Sequence, residues 1–434
     1  MNNPRQSAFE ALVKTEKAGA YSNIALDSLL SKSDFDTRDK AFVSNLFYGV
    51  TERKLTLDYQ IELYTSKPLK KMKAEVLTVL RLGAYQLLFM DKVPSSAAVN
   101  ESVNLTKKNG LSYASGLVNA VLRKIDKNGL KLPSDENAVK FMSVKYSCPE
   151  WLINKWVKEY GRDSTIGILE HSLGAPVNYI RVNNTLISAE ELIVLLDSEG
   201  VKAVTTDLSE CLEIVLAGKS IETLESFKKG LFHIQDKACQ ICAGALNAKK
   251  GDRVFDLCAA PGGKTYTIAE IMNDEGEVLS FDIHSHRVKL IEKGAQRLRL
   301  KSVRAIEGDA SLYCEELGEA DAVLCDVPCS GFGIIGRKPE IKYKNPDEIK
   351  QLPDLQLSIL KNGARYVKKG GRLVYSTCTL SKSENEKVCK RFLDGNPGFT
   401  VVSPFTDNNG EYLTLLPYVC NSDGFFIACF ERNK

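Results

Sequence analysis

Long apolar runs are missing from this chain of 434 residues. No stretch approaches the roughly eighteen apolar residues that a membrane-spanning helix requires, so no membrane partner is expected. The first twenty residues carry Arg5, Glu10, Lys14, Glu16 and Lys17 without an apolar core, so no secretory signal is expected either. Internal repeats and low-complexity tracts are absent. The Gly-rich turn from Cys258 to Lys264 lacks the G-x-G-x-x-G spacing of a nicotinamide enzyme, and nothing downstream of it resembles a hydride-transfer site. Cys239-Gln240-Ile241-Cys242 has metal-site spacing, but no second pair and no neighbouring histidine ligands accompany it. It reads as one helix face, and no metal is expected. His284 and His286 are expected to be exposed loop residues.

What is present describes a soluble protein of several domains. Hydrophobic residues make up 44% and charged residues 26% of the chain, ordinary values for a globular protein. Its length exceeds one usual core, so two or three domains are expected. The twelve cysteines are scattered, which argues for reduced thiols in a cytoplasm. The net charge of +3 is uneven: residues 1–127 hold 19 Lys+Arg against 13 Asp+Glu, an excess of +6. That excess suits nucleic-acid contact and equally suits ordinary solvated helix faces.

Residues 1–130 read as an all-helical domain. Asn3-Pro4 opens a first helix and Asp36 caps another. Apolar stripes recur at three and four, through Phe42, Val43, Leu46, Phe47 and Val50, then Val76 to Leu88, then Leu117 to Ile125. A helical bundle is the natural packing. After the weak pattern around Asn128-Gly129 and Pro133-Ser134, residues 146–235 read as a small α+β module. It has a helix from Pro149 to Tyr160, strands at Val177–Val182 and Leu212–Leu216, and a capping box at Ser188.

From 236 to 434 strands and helices alternate. The strand candidates are 253–257, 277–283, 304–307, 322–326, 372–376 and 425–430, with helical patterns between the first five. That layout predicts a doubly wound α/β sheet of Rossmann-like type. Cys258-Ala259-Ala260-Pro261-Gly262-Gly263-Lys264 sits where the first strand hands over to a helix. Glycines there let backbone approach a ligand, and the helix start offers free N–H groups. Asp282 ends the second strand, where a carboxylate can hold ribose hydroxyls. Asp309 ends the third strand and can accept from an adenine amino group. With Asp326 these carboxylates suit an adenosyl ligand that carries a positive sulfonium and no phosphate.

Two cysteines follow strand-like runs, in Asp326-Val327-Pro328-Cys329-Ser330-Gly331 and Tyr375-Ser376-Thr377-Cys378-Thr379. Both are expected at one rim of the sheet, where such folds place their chemistry. Carbon 5 of a pyrimidine is too weak a nucleophile to accept a methyl group directly. A thiolate adding at carbon 6 enriches carbon 5, after which the carbon-5 proton and the thiolate must leave. Cys378, Asp326 and Cys329 can supply the nucleophile, a group that steadies the ring, and a group that helps elimination, in that order. Cys325, Cys389 and Cys429 read as buried small hydrophobes.

The residues Asp256 to Thr265, Asp326 to Gly331, Ser376-Thr377-Cys378-Thr379 and Asp423-Gly424-Phe425-Phe426 resemble, in order, the motifs of the Sun family of RNA cytosine-5 methyltransferases. Gly333 to Lys342 is similar to that family's substrate-side loop. The resemblance covers roughly residues 230–434. It implies S-adenosylmethionine as cofactor, Cys378 as nucleophile and Cys329 as the cysteine assisting product release. DNA methyltransferases use the Pro-Cys cysteine instead, so spacing alone leaves the assignment open. By the same carry-over, Cys258 to Lys264, Asp282, Asp309 and Asp326 line the cofactor site. Leu416 to Cys420 carries no histidine where many relatives have one. Residues 39–43, 80–87 and 116–123 resemble the helical RNA-binding domain of the antitermination factor NusB. That pairing is the architecture of the family's bacterial enzymes acting on 16S ribosomal RNA, which becomes the expected partner of a monomer. A transfer-RNA methyltransferase and a non-catalytic assembly factor that keeps the fold are the competing readings.

Overall fold

A computed structural model describes residues 3–18, 26, 28–31, 33–216, 220–405 and 410–433. The chain divides into two compact units, Met1–Leu173 and Gly174–Lys434.

The first unit is helical. Its helices include Pro4–Ala18, Thr37–Glu52, Lys54–Glu62, Ala74–Phe89, Ser95–Lys108 and Ser115–Asn128, followed by Ala138–Tyr146, Glu150–Tyr160 and Arg162–His171. Local signals set the starts. The Asn3 side chain accepts from the Arg5 N–H at 2.9 Å, and Asp36 accepts from the Asp39 N–H at 2.7 Å. Ala74–Phe89 is apolar on nearly every side and is buried from Val76 to Gln86. Its one buried cation, Arg81, is held by both oxygens of Asp58 (2.6 and 2.9 Å) and by Glu16 at 2.8 Å. The helix with the two tryptophans, Trp151 and Trp156, falls in this unit.

The second unit contains two sheets. In the smaller, strands β1 (Asn178–Val182), β2 (Lys202–Thr205), β3 (Cys211–Val215) and β4 (Phe232–Ile234) lie in the order β2-β3-β1-β4, all antiparallel. The helix Ala189–Ser198 starts from the complete capping box of Ser188 and Glu191. Leu192 and Leu196 join Ile180, Val182, Leu212, Ile214 and Phe232 in a separate core.

The larger sheet holds β5 (Arg253–Asp256), β6 (Glu277–Asp282), β7 (Val303–Glu307), β8 (Ala320–Asp326), β9 (Val367–Thr377), β10 (Phe399–Val402), β11 (Tyr412–Leu415) and β12 (Phe425–Arg432). Its order is β10-β12-β9-β8-β5-β6-β7, with β11 also on β12. The strands from β9 to β7 run parallel, and β12 runs antiparallel to β9. Alternate residues feed two cores: Val254, Leu324, Val374 and Ile427 on one face, Phe255, Val323, Leu373 and Phe426 on the other. Burial on both faces explains why these strands read as continuous apolar runs.

Three details differ from the sequence expectation. Only the short turn Glu315–Leu317 separates β7 from β8, with no α-helix there among the described residues. Asp309 turns back onto Ser311 just past Gly308, and Gly318, with φ of 64°, turns the chain again before β8. Asp309 accordingly lies beyond the end of β7. The short strands β10 and β11, which pair on the same edge as β12, carry too little pattern to stand out alone.

Candidate functional site

The reversal of strand order lies between β5 and β8, and parallel α/β sheets open a crevice at the carboxyl ends of such strands. The cofactor turn leaves β5 at this point. Ala259 donates its N–H to the Phe281 carbonyl at 2.8 Å, and Gly262 closes the turn onto Ala259 at 2.8 Å. The Ala260–Pro261 peptide is cis. Gly262 has φ of 109°, and a Cβ there would stand 2.2 Å from the Tyr266 hydroxyl. Only glycine fits this turn. Gly263 then begins the helix Gly263–Ile271.

Four carboxylates stand at or just past the carboxyl ends of β5, β6, β7 and β8. Asp256 is buried; one oxygen accepts from Thr265 Oγ1 at 2.7 Å and the other is unpartnered. Burial pushes its pKa up to about 7, opposed by the Thr265 hydrogen bond. Asp282 accepts from the His284 N–H at 3.0 Å and pairs with Arg287 at 3.0 Å. Arg287 also donates to the Ala260 carbonyl at 3.1 Å, tying the second acid to the turn. Asp309 is exposed and accepts from Ser311, which holds its pKa low. Asp326 accepts from Lys264 at 2.7 Å and from Ser376 Oγ at 2.8 Å. An orphaned buried carboxyl, a turn closed to any side chain, and more carboxylates than cations fit an adenosyl sulfonium.

Lys264 lies 3.4 Å from Cys239 Sγ and 5.0 Å above the Phe425 ring. Burial works against its charge, but the Asp326 carboxylate together with Cys239 and Cys242 outweighs that and the pKa rises. Burial pushes the Cys239 thiol up to about 12 and also raises Cys242 and Cys258. Cys239 and Cys242 share the helix Lys237–Ala245. His284 and His286 are exposed and stack at 5.5 Å.

The two rim cysteines meet. β8 and β9 are parallel neighbours with Asp326 opposite Ser376, so the loops leaving them are adjacent. The sulfurs of Cys329 and Cys378 stand 3.2 Å apart, and both residues are half-buried. The hydrogen bond to Cys378, with enclosure by the protein, drives the Cys329 pKa well above the usual thiol range. Cys258 to Lys264, Asp282 and Asp326 thus gather at one sheet rim with both cysteines, and Asp309 stands at that rim's exposed end.

The loop Gly333 to Lys342 is laced to the same rim. Gly333 donates to the Cys378 carbonyl at 3.0 Å and accepts from the Gly424 N–H at 2.8 Å. A Cβ at Gly333 would stand 1.9 Å from the Gly424 oxygen, so the two backbones meet only as glycines. Arg337 binds both Asp423 oxygens (2.8 and 2.9 Å), Asp236 at 2.7 Å and the Val177 carbonyl at 2.8 Å. Thr265, Ser376, Arg287 and this Arg337 clamp escaped the sequence reading. Thr265, Ser376 and Arg337 stood inside recognised motifs and Arg287 lies five residues past Asp282, but the partners of Arg337 are remote in the chain.

Asp256 gives a pH prediction for the cofactor-free protein. Its ordinary pKa is 3.8 and its folded value about 7, so between these pH values the unfolded chain releases a proton that the fold retains. This group therefore lowers stability as pH rises through that window. Thermal melts from pH 5 to 7 should show a steeper fall for the parent than for Asp256→Asn; equal slopes would refute it.

Three family models match the sequence. One described as 16S rRNA methyltransferase RsmB/F matches residues 243–431, one for the NusB family matches 2–127, and one for a ferredoxin-like domain of RsmF/B-like methyltransferases matches 148–219. The probable ribosomal RNA small subunit methyltransferase B of Bacillus subtilis is 38% identical, over 99% of this chain and 98% of its own length. A like-named protein of Synechocystis is 35% identical over the whole of both. Among solved structures, PH0851 covers 100% of this chain and 99% of its own at a TM-score of 0.82 and 28% identity. NSun6 from Pyrococcus horikoshii, solved with SFG, covers 66% of this chain and 98% of its own at a TM-score of 0.61 and 24% identity, a likeness of fold.

Proposed function

We propose, for a chain that belongs to the RsmB/F family of 16S rRNA methyltransferases, that it methylates carbon 5 of one cytosine in 16S ribosomal RNA through a covalent Cys378 adduct. As a member of that family it is an S-adenosylmethionine-dependent ribosomal RNA methyltransferase. The observation that carries the finer reading is the 3.2 Å approach of the Cys378 and Cys329 sulfurs, beside Asp326 and the cofactor turn.

The cofactor, when bound against Cys258 to Lys264, Asp282 and Asp309, supplies an electrophilic methyl group. Cys378 forms a bond from sulfur to carbon 6, and the displaced double-bond pair enriches carbon 5. Asp326, oriented by Lys264 and Ser376, faces the base and steadies the ring. Release requires the carbon-5 proton to pass to solvent, its electron pair to restore the double bond, and the carbon–sulfur pair to return to Cys378. Cys329 hydrogen-bonds that departing thiolate. The target base has to be unstacked to reach this rim.

The three segments take separate tasks in this reading: residues 1–130 hold RNA, 146–235 orient it and 236–434 carry the chemistry, in a cytoplasmic monomer. No helix among the described residues is long and apolar enough to cross a membrane. Lys67, Lys70, Lys71 and Lys73 are exposed with no acid between 63 and 74. Lys73 lies 5.4 Å from the ring of Tyr113, which is 68% exposed. Replacing Lys70, Lys71 and Lys73 together by alanine should weaken binding to 16S RNA fragments and lower the slope of log affinity against log salt by roughly 2. An unchanged slope in filter binding would remove this face from the RNA site.

Methyl transfer from labelled S-adenosylmethionine to unmodified 16S RNA, mapped to single nucleotides, tests the whole reading. One labelled cytosine supports it. Label on transfer RNA alone would overturn the substrate and keep the chemistry. No label on any RNA would favour an assembly factor.

A further inference from the structure

A carboxylate outside both the Pro-Cys and the Thr-Cys motif anchors the loop that carries Cys329. Glu384 is 2% exposed, and no cation pairs with it among the described residues. Burying a carboxylate without a cation costs several kcal/mol unless hydrogen bonds replace its water. Here two of the three donors come from the loop that carries Cys329. One oxygen accepts from the Ser330 N–H at 2.8 Å and from Gln356 Nε2 at 3.1 Å, and the other accepts from Ser330 Oγ at 2.7 Å. Gln356, on the helix Leu352–Tyr366, also donates to the Pro328 carbonyl at 3.0 Å. Both neighbours of Cys329 are thus fixed to this carboxylate, one directly and one through Gln356.

The next residue does the same for the other cysteine. Asn385 Nδ2 donates to the Thr379 carbonyl at 2.9 Å, and Asn385 Oδ1 accepts from Thr377 Oγ1 at 2.7 Å. Thr377 and Thr379 flank Cys378. The hydroxyls of Ser330 and Thr379 then lie 2.7 Å apart, closing the two loops on each other. Two consecutive buried residues therefore set the separation of the two sulfurs.

We propose that Glu384 is a positioning residue for Cys329, holding its thiol against Cys378 so that the covalent adduct is released. This rests on the reading that Cys329 assists release. The negative charge of Glu384 is also one of the influences that keep the Cys329 thiol protonated. Glu384→Gln keeps the volume but removes the charge and turns one acceptor into a donor facing Ser330. The pocket can still fill, while the Cys329 loop loses one of its anchors. A displacement near 1 Å costs about 100-fold in rate at a reacting centre.

The test compares the parent, Glu384→Gln, Cys329→Ala and the double variant on 16S RNA with S-adenosylmethionine. Turnover, the fraction of protein in a denaturant-resistant RNA adduct, and cofactor affinity are the readouts. Glu384→Gln should lose roughly 10–100-fold in turnover and accumulate adduct, with cofactor affinity unchanged. In the Cys329→Ala background it should cost nothing further. Loss of turnover and adduct together in a folded protein would overturn the proposal, as would parental turnover. Absence of adduct with Cys329→Ala would instead refute the Cys329 reading beneath it. Should Glu384→Gln fail to fold, Ser330→Ala, which removes one donor to the carboxylate, decides: more adduct supports the proposal and unchanged adduct sinks it.

Discussion

Cys378→Ala is expected to lose at least about 10³-fold in methyl transfer to 16S RNA, the scale on which covalent enzymes respond to loss of their nucleophile. Carbon 5 of the cytosine then has no adduct to enrich it, and nothing else at the rim can take over. Cys329 is 3.2 Å away but is held as the thiol by its hydrogen bond to Cys378 and by enclosure. Cys239 and Cys258 are further raised by burial, and a protonated thiol is a poor nucleophile. Affinity for cofactor and RNA should remain near the parental values, because Cys378 anchors its surroundings through its backbone carbonyl and Gly333. Calorimetry with S-adenosylmethionine and filter binding with RNA check that the variant is folded and loaded. An active Cys378→Ala beside an inactive Cys329→Ala would exchange the two roles.

Cys329→Ala has the second large effect, and of a different kind. The adduct forms but is released slowly, so each enzyme should transfer about one methyl group and then stall. Steady turnover should fall by roughly 100-fold or more, while a band of protein joined to RNA survives boiling in detergent. The physical reason is the loss of the one sulfur–hydrogen donor placed against the departing thiolate. If Cys329→Ala turned over normally without trapped RNA, the 3.2 Å contact would be packing alone.

The large sheet was legible because its strands are buried on both faces. Phe255, Leu324, Val374 and Ile427 lie in unbroken apolar runs that only a doubly covered sheet accommodates. The helical region was legible through its caps at Asn3 and Asp36 and its stripes at three and four. Edge strands such as β10 and β11 and the helix-free stretch before β8 were not, because four-residue patterns and turn acids carry little periodic signal. The cofactor turn and both cysteines could be named in advance because their partners are close in sequence or stand at strand ends. Glu384 could not: it looks like one more solvated acid among Lys382, Ser383 and Glu386.

By itself the sequence determined the order of helical region, small mixed module and doubly wound sheet, and which residues stand at strand ends. Local propensity and alternation are properties of a few consecutive residues, so they survive without the fold. Tertiary structure alone decided that Cys329 and Cys378 touch, that Arg337 gathers Asp236 and Asp423, and that Glu384 is buried under the Cys329 loop. Those contacts join residues from 49 to 101 positions apart, and only the parallel pairing of β8 with β9 and the packing around it brings them within reach.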